Sequence, residues 1–148
     1  MIALIQRVTE ARVTVNQTVI GEIGPGILAL LGVVKGDRPA QAKSLIQRLL
    51  NYRIFEDTEG RMNLSLLQTK GALLLVPQFT LAANTQKGLR PGFDRAAPPA
   101  EAKVLFDSAA EFAREELTEQ LQLGQFGADM QVSLNNDGPV TFWLESTP

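Results

Sequence analysis

Two short stretches carry residues that could do chemistry, and each cuts across a strand-like pattern. "VPQFTLA", residues 76–82, sets Gln78, Phe79 and Thr80 directly behind a proline at the end of an apolar run. "NNDGPVT", residues 135–141, sets Asn136, Asp137, Gly138 and Pro139 between two segments rich in strand formers, 130–135 and 140–145. A threonine hydroxyl can act as a nucleophile only with a base to take its proton, and the nearest charged side chain along the chain is Lys87. The Gln78 amide can donate to an oxyanion, as can backbone N–H groups freed where a strand breaks, and neither donor needs a titratable group. Gly138 lets main chain approach a ligand or partner with no Cβ in the way, while Pro139 fixes its own φ and restricts Gly138. An X-Pro bond is cis in only about 5–6% of folded cases, so spacing alone predicts no special peptide bond there. The simpler reading of both stretches is that they end strands, with Asn136 and Asp137 as turn residues and Thr80 as a packing residue.

Composition narrows the chemistry further. The chain has no histidine and no cysteine. Ser-His and Cys-His pairs, an imidazole base near neutral pH and the usual zinc ligands are all excluded, leaving hydroxyls, carboxylates, lysines, arginines, backbone dipoles and whatever the substrate supplies. No metal and no cofactor is expected. A net charge of −2 and a pI near 5.2 argue against affinity built on neutralising many phosphates along a duplex. A local basic cluster, Lys87, Arg90 and Arg95, could still make a few phosphate contacts, or be solvated surface charge.

The elements that must hold these stretches fit one domain spanning residues 1–148. At 45% hydrophobic and 20% charged residues, the chain has the composition of a globular protein. It lacks an apolar run near the roughly 18 residues needed to span a bilayer, and the early Gln6 and Arg7 leave no room for a signal segment, so a cytoplasmic location is expected. Residues 2–15 and 18–23 read as a hairpin, and 27–34 as a buried central strand after Gly24-Pro25-Gly26. Asp37 is placed to cap a helix over about 39–51, with Ala42, Leu45, Ile46, Leu49 and Leu50 on one face. "YRIFED" reads as a short strand, 57–71 as turn and loop, and 72 onward as a buried strand that must end, bulge or lie at an edge at Pro77. Residues 84–99, with two glycines and three prolines, form either a functional or a mobile loop, and a second helix runs over about 99–118. Two final strands, 130–135 and 140–145, flank the Gly-Pro pair. The class is α/β, a mixed sheet with two main helices, and strong curvature or closure would hide the many strand edges.

Taken together, the two stretches are familiar. "PQFTLA" resembles the S-Q-F-T-L-A motif, and "NDGPVT" matches the N-x-G-P-V-T motif, of the D-aminoacyl-tRNA deacylases. "IALIQRV", "NYRIF", "MNLS", "RPGF" and "ADMQVSLNNDGPVTFWL" are similar to the same family in register over essentially the whole chain. The resemblance implies hydrolysis of the ester joining a D-amino acid, or mischarged glycine, to the 3′ end of tRNA. It implies a homodimer of three-layer α/β/β subunits with a barrel-like sheet and the active site at the subunit interface. Gly138 and Pro139 would then form a cis peptide that enters the partner's pocket and selects chirality, with Gln78, Phe79 and Thr80 lining that pocket. Arg7 would brace the Gly-Pro loop, and Lys87 and Arg90 would contact phosphates of the acceptor end.

The implied activity suits the depleted side-chain set. L and D residues differ by exchanging hydrogen and side chain about Cα, so attraction for the side chain discriminates weakly and rejection needs a wall. Main-chain atoms can form that wall without regard to side-chain identity. An aminoacyl ester is activated, and the neighbouring 2′-hydroxyl of the terminal adenosine can help a water attack, leaving the enzyme to position and stabilise. Thr80 is the nucleophile of the competing covalent route and a hydrogen-bonding group in the favoured RNA-assisted one. Pro77 departs from the family's serine, removing one hydroxyl and one N–H beside Gln78, which predicts activity at an altered rate.

Overall fold

The computed structural model describes residues 1–148. Strand β1 (Ile2–Val15) turns at Asn16 and Gln17, both in left-handed backbone with φ of 48° and 65°, into β2 (Thr18–Ile23), the geometry that matches a two-residue loop to strand twist. There follow β3 (Gly26–Gly32), α1 (Pro39–Asn51), β4 (Phe55–Glu56), β5 (Met62–Leu64), the one-turn α2 (Leu66–Thr69) and β6 (Ala72–Pro77). A 3-10 turn (Phe79–Ala82), α3 (Pro99–Leu117), β7 (Leu121–Leu123) and β8 (Gln131–Glu145) complete the chain.

The main sheet runs β2-β1-β3-β6-β7, with β8 added on β1. β3, β6 and β7 are parallel neighbours, and every pairing that involves β1 is antiparallel. β1 is the spine of the sheet: residues 2–8 pair with β3, residues 11–15 with β2, and both halves with β8. Because β2 packs back across β6 and β7, the sheet curls into a nearly closed barrel.

Alternation along the strands divides the interior in two. Ile5, Ile27, Leu73 and Leu75 face the helices, where Leu45, Leu49, Phe106 and Ala109 meet them, while Val8, Val13, Leu28, Leu74 and Val76 face into the barrel. Helices over sheet over sheet give a single-domain α/β protein in three layers. The buried faces of α1 and α3 repeat at three- and four-residue intervals, and each fully buried Leu or Phe on them stabilises the docked helix by about 1.5–3 kcal/mol.

Several local expectations change. Asp37 does not cap α1: Pro39 opens the helix, Arg38 precedes it, and the Gln41 side chain accepts the Arg38 N–H at 2.8 Å. The Asp37 carboxylate instead takes the Met1 amine and the Val34 N–H, each at 2.8 Å, in a buried cluster. "YRIFED" supplies only the two residues of β4, which pairs with β5 around a turn that Asp57 ties to the Glu59 and Arg61 N–H groups. The Arg61 bond, with help from Glu59 and Asn63, holds the Asp57 carboxyl below its ordinary value. The short β7 lay outside the expected pattern. The final two strands are one, β8, whose pairing with β1 slips instead of stopping.

Candidate active site

The first chemical stretch lies where central strand β6 stops. The Gln78 N–H donates to Leu31 O of β3 at 2.8 Å, so the nitrogen of Pro77 faces the opposite side, toward β7. β7 has already ended at Leu123, and the Gly124 N–H makes the last bond on that side, to Leu75 O at 2.8 Å. Proline therefore occupies a central strand end without orphaning an acceptor, which explains how Pro77 can stand there. The chain then tightens into the 3-10 turn through Leu81 N–H to Gln78 O (3.3 Å) and Ala83 N–H to Thr80 O (3.1 Å). The turn seats on Gly32, where a Cβ would lie 3.0 Å from both Gln78 O and Leu81 Cβ.

This strand end opens into a cleft of about 760 Å³. Val76, Pro77, Gln78 and Phe79 line one side, and Phe93, Ala102, Phe126 and Met130 line others. Phe79 is 57% exposed and leans on Phe93 with ring centroids 5.1 Å apart. The Gln78 side-chain amide donates to Thr80 Oγ1, and no carboxylate or amine bonds that hydroxyl. The cleft thus offers the Gln78 amide on an apolar bed, while Thr80, expected in the lining, stands one residue beyond the lining Phe79 and has no base bonded to it.

The second stretch is a bulge in β8. Gln6 pairs with Thr141 and Val8 with Asn136, so residues 137–140 stand opposite Arg7 alone and must leave the sheet. Gly138 has φ +151°, and a Cβ there would meet Val140 Cγ2 at 2.6 Å. The peptide between Gly138 and Pro139 is cis. Two polar side chains fix the bulge. Arg7, only 7% exposed, donates from Nε to Asp137 O (2.9 Å) and from Nη1 to Ile54 O (2.8 Å). The Asn136 carbonyl accepts the Val140 N–H at 2.7 Å, and its amide reaches Thr141 Oγ1 at 3.0 Å.

Within one chain the two halves do not meet. Neither Gly138 nor Pro139 lines the cleft, whereas Val132 does, and Gly138 lies six residues further along β8, up to about 20 Å away at ~3.3 Å per residue. Neither Lys87 nor Arg90 lines the cleft. They project from loop 84–92, whose base is closed by paired bonds between Asn84 and Gly92 at 2.7 and 3.0 Å, so the expected loop is pinned at its root.

Comparison with known proteins supplies the family. Residues 4–145 match the sequence profile of the D-Tyr-tRNA(Tyr) deacylases. A D-aminoacyl-tRNA deacylase of Thioalkalivibrio sulfidiphilus is 59% identical over 148 residues, covering all of this chain and 99% of the relative. One from Pasteurella multocida is 57% identical over 145 residues, 98% of this chain and 99% of its own. The chain belongs to the D-Tyr-tRNA(Tyr) deacylase family. It is accordingly an ester hydrolase acting on D-aminoacyl-tRNA. A solved structure named c-Myc DNA Unwinding Element Binding Protein has the same fold, with a TM-score of 0.96, 40% identity and full coverage of both chains.

For a deacylase, the inventory of the cleft adds residues that the motifs did not flag. Lys35, Phe93, Ala102, Phe126 and Met130 come from four separate segments, and only Phe93, within "RPGF", and Met130, within "ADMQVSLNNDGPVTFWL", lay in recognisable motifs. No cluster of three or more His, Cys, Asp or Glu side chains gathers where it could hold a metal ion, and no helix is long and apolar enough to cross a membrane.

Proposed function

We propose that this deacylase proofreads chirality with a site shared between two copies of the chain, in the cytoplasm. The 3′-aminoacyl-adenosine enters the cleft beside Gln78, Phe79 and Thr80, and the Gly138-Pro139 main chain of a second copy closes it. A carbonyl held there occupies the space an L side chain needs while meeting only hydrogen in a D residue or in glycine, so both D-aminoacyl and glycyl esters are cleaved. The observation that supports this reading is the separation of a built cleft and a built projecting bulge along one strand. β8 pairs only with β1, which leaves its outer edge open beside exposed Val132, Leu134 and Trp143. A fifteen-residue free edge calls for a cover. A two-fold apposition of β8 edges, centred near Asn135, would carry the bulge of each copy to the cleft of the other.

Chemistry in the cleft then follows from its donors. Gln78 and N–H groups of the 3-10 turn stabilise the tetrahedral oxyanion, and the substrate's 2′-hydroxyl helps water attack. Thr80, whose oxygen already accepts from Gln78, holds position. A Thr80→Ala variant should keep its single-turnover rate near wild type, and isolation of an aminoacyl-Thr80 ester would overturn this route. Lys87 and Arg90 meet acceptor-end phosphates. The DNA element in the name of the 40%-identical solved structure suits this chain poorly, since a net charge of −2 argues against affinity built on neutralising many duplex phosphates.

Matched D- and L-aminoacyl-tRNA, followed by ester loss, test the reading. Loss of the D and glycyl esters alone is expected. Loss of both enantiomers would make the chain a general esterase, and loss of neither a binding module.

A further inference from the structure

The cleft contains one charged side chain, Lys35, and the reaction as described leaves it unused. The turn that carries Lys35 is fixed from several sides. Lys35 N–H donates to Arg95 O at 3.0 Å, Asp37 N–H donates to Val34 O at 3.1 Å, and Val34 N–H is held by the Asp37 carboxylate. That last bond also settles the charge. Asp37, the nearest acid in sequence, is buried against the Met1 amine, and Lys35 takes part in none of the ion pairs. An unneutralised ammonium thus stands at a cleft whose other lining groups are apolar or neutral. Lys35 is exposed to solvent, so its charge acts by direct contact over a few ångströms and not as a long-range field.

An aminoacyl-tRNA end is electrically lopsided. Its amino acid carries an α-ammonium, and its terminal adenosine is joined to the next nucleotide by a phosphodiester anion. A single cation in the cleft attracts one end and repels the other. We propose that Lys35 is a positioning residue that contacts this terminal phosphodiester and so sets the direction in which the 3′ end lies across Gln78. The proposal rests on the shared-site reading above, and it concerns a group that acts through charge and not on the reacting atoms.

The test compares Lys35→Gln and Lys35→Arg with the wild type on D-aminoacyl-tRNA over a range of salt, and on the 3′-D-aminoacyl ester of adenosine, which has no phosphate. Lys35→Gln should lower kcat/KM on the tRNA about tenfold, mainly through KM, as expected for losing a charge-assisted bond. It should make the slope of log kcat/KM against log salt shallower by about 0.7, the share of one phosphate on a single strand. Lys35→Arg should restore both, and the adenosine ester should not distinguish the three proteins. An unchanged salt slope, or an equal loss on the phosphate-free ester, overturns the role of Lys35 while leaving wild-type deacylation intact. A wild type that leaves D-aminoacyl-tRNA untouched overturns the function itself, and the role of Lys35 with it.

Discussion

The strand exit at 77–82 and the bulge at 137–140 both interrupt a strand, but they are made rigid in different ways. The exit sits at the centre of the sheet, where its backbone is held by β3 and by the packing of Gly32, so main-chain bonds alone fix Gln78. The bulge springs from an outer strand paired on one side only, and its rigidity comes from two side chains, Arg7 and Asn136, reaching its carbonyls and N–H groups. A pocket that receives a ligand can be built from ladder bonds, because it must only stay open. A loop that projects beyond the sheet has no ladder and needs dedicated polar anchors. The difference predicts that mutations at the exit damage rate, whereas mutations behind the bulge damage selectivity and stability.

The sharpest way to break that contrast lies at the exit. Gln78→Ala should lower kcat on D-aminoacyl-tRNA by about 10²-fold, the cost of one oxyanion donor, with the folded state intact by circular dichroism. A loss confined to KM would remove Gln78 from the chemistry. At the bulge, Arg7→Ala leaves two carbonyls without their charged donor and should cost about 3 kcal/mol in urea unfolding while raising hydrolysis of L-aminoacyl-tRNA. Arg7→Lys should rescue little, since one ammonium does not reproduce a planar fork aimed at two carbonyls. The smallest effect is expected from Pro77→Ser. The nitrogen of residue 77 faces no ladder acceptor, so the restored N–H adds no strand bond, and one new hydroxyl in the cleft is worth about 1 kcal/mol, or roughly fivefold in rate. A larger gain would show that the proline limits this chain.

How far the sequence alone reached follows the same division. Both helices, the first hairpin and the buried strands were legible because their apolar spacing reports the faces they bury, and the motifs marked Gln78 and Gly138 by residue type. What local pattern could not supply was pairing. The continuity of β8 through a Gly-Pro pair depends on Gln6 and Val8 lying opposite Thr141 and Asn136, a register set by β1. The three-residue β7 is too short to show a period, and it exists because β6 offers it an edge. Asp37 read as a helix cap since its side chain suits one, but the buried Met1 amine took the carboxylate. The cleft was least legible of all, because Lys35, Ala102 and Met130 meet only after folding.

The central claim is that one chain's cleft works with another chain's bulge, and a mixing experiment tests it directly. Gly138→Ala places a Cβ into Val140 and should lower the ratio of D- to L-aminoacyl-tRNA hydrolysis. Gln78→Ala is nearly silent in turnover but keeps a native bulge. When Gly138→Ala is unfolded and refolded with an excess of Gln78→Ala, the turnover comes almost entirely from Gly138→Ala clefts, most of them faced by a native bulge. The shared site predicts that the D-to-L ratio returns toward the wild-type value. A ratio that stays at the Gly138→Ala value, whatever the excess, would mean that each chain filters its own substrate and would contradict the account.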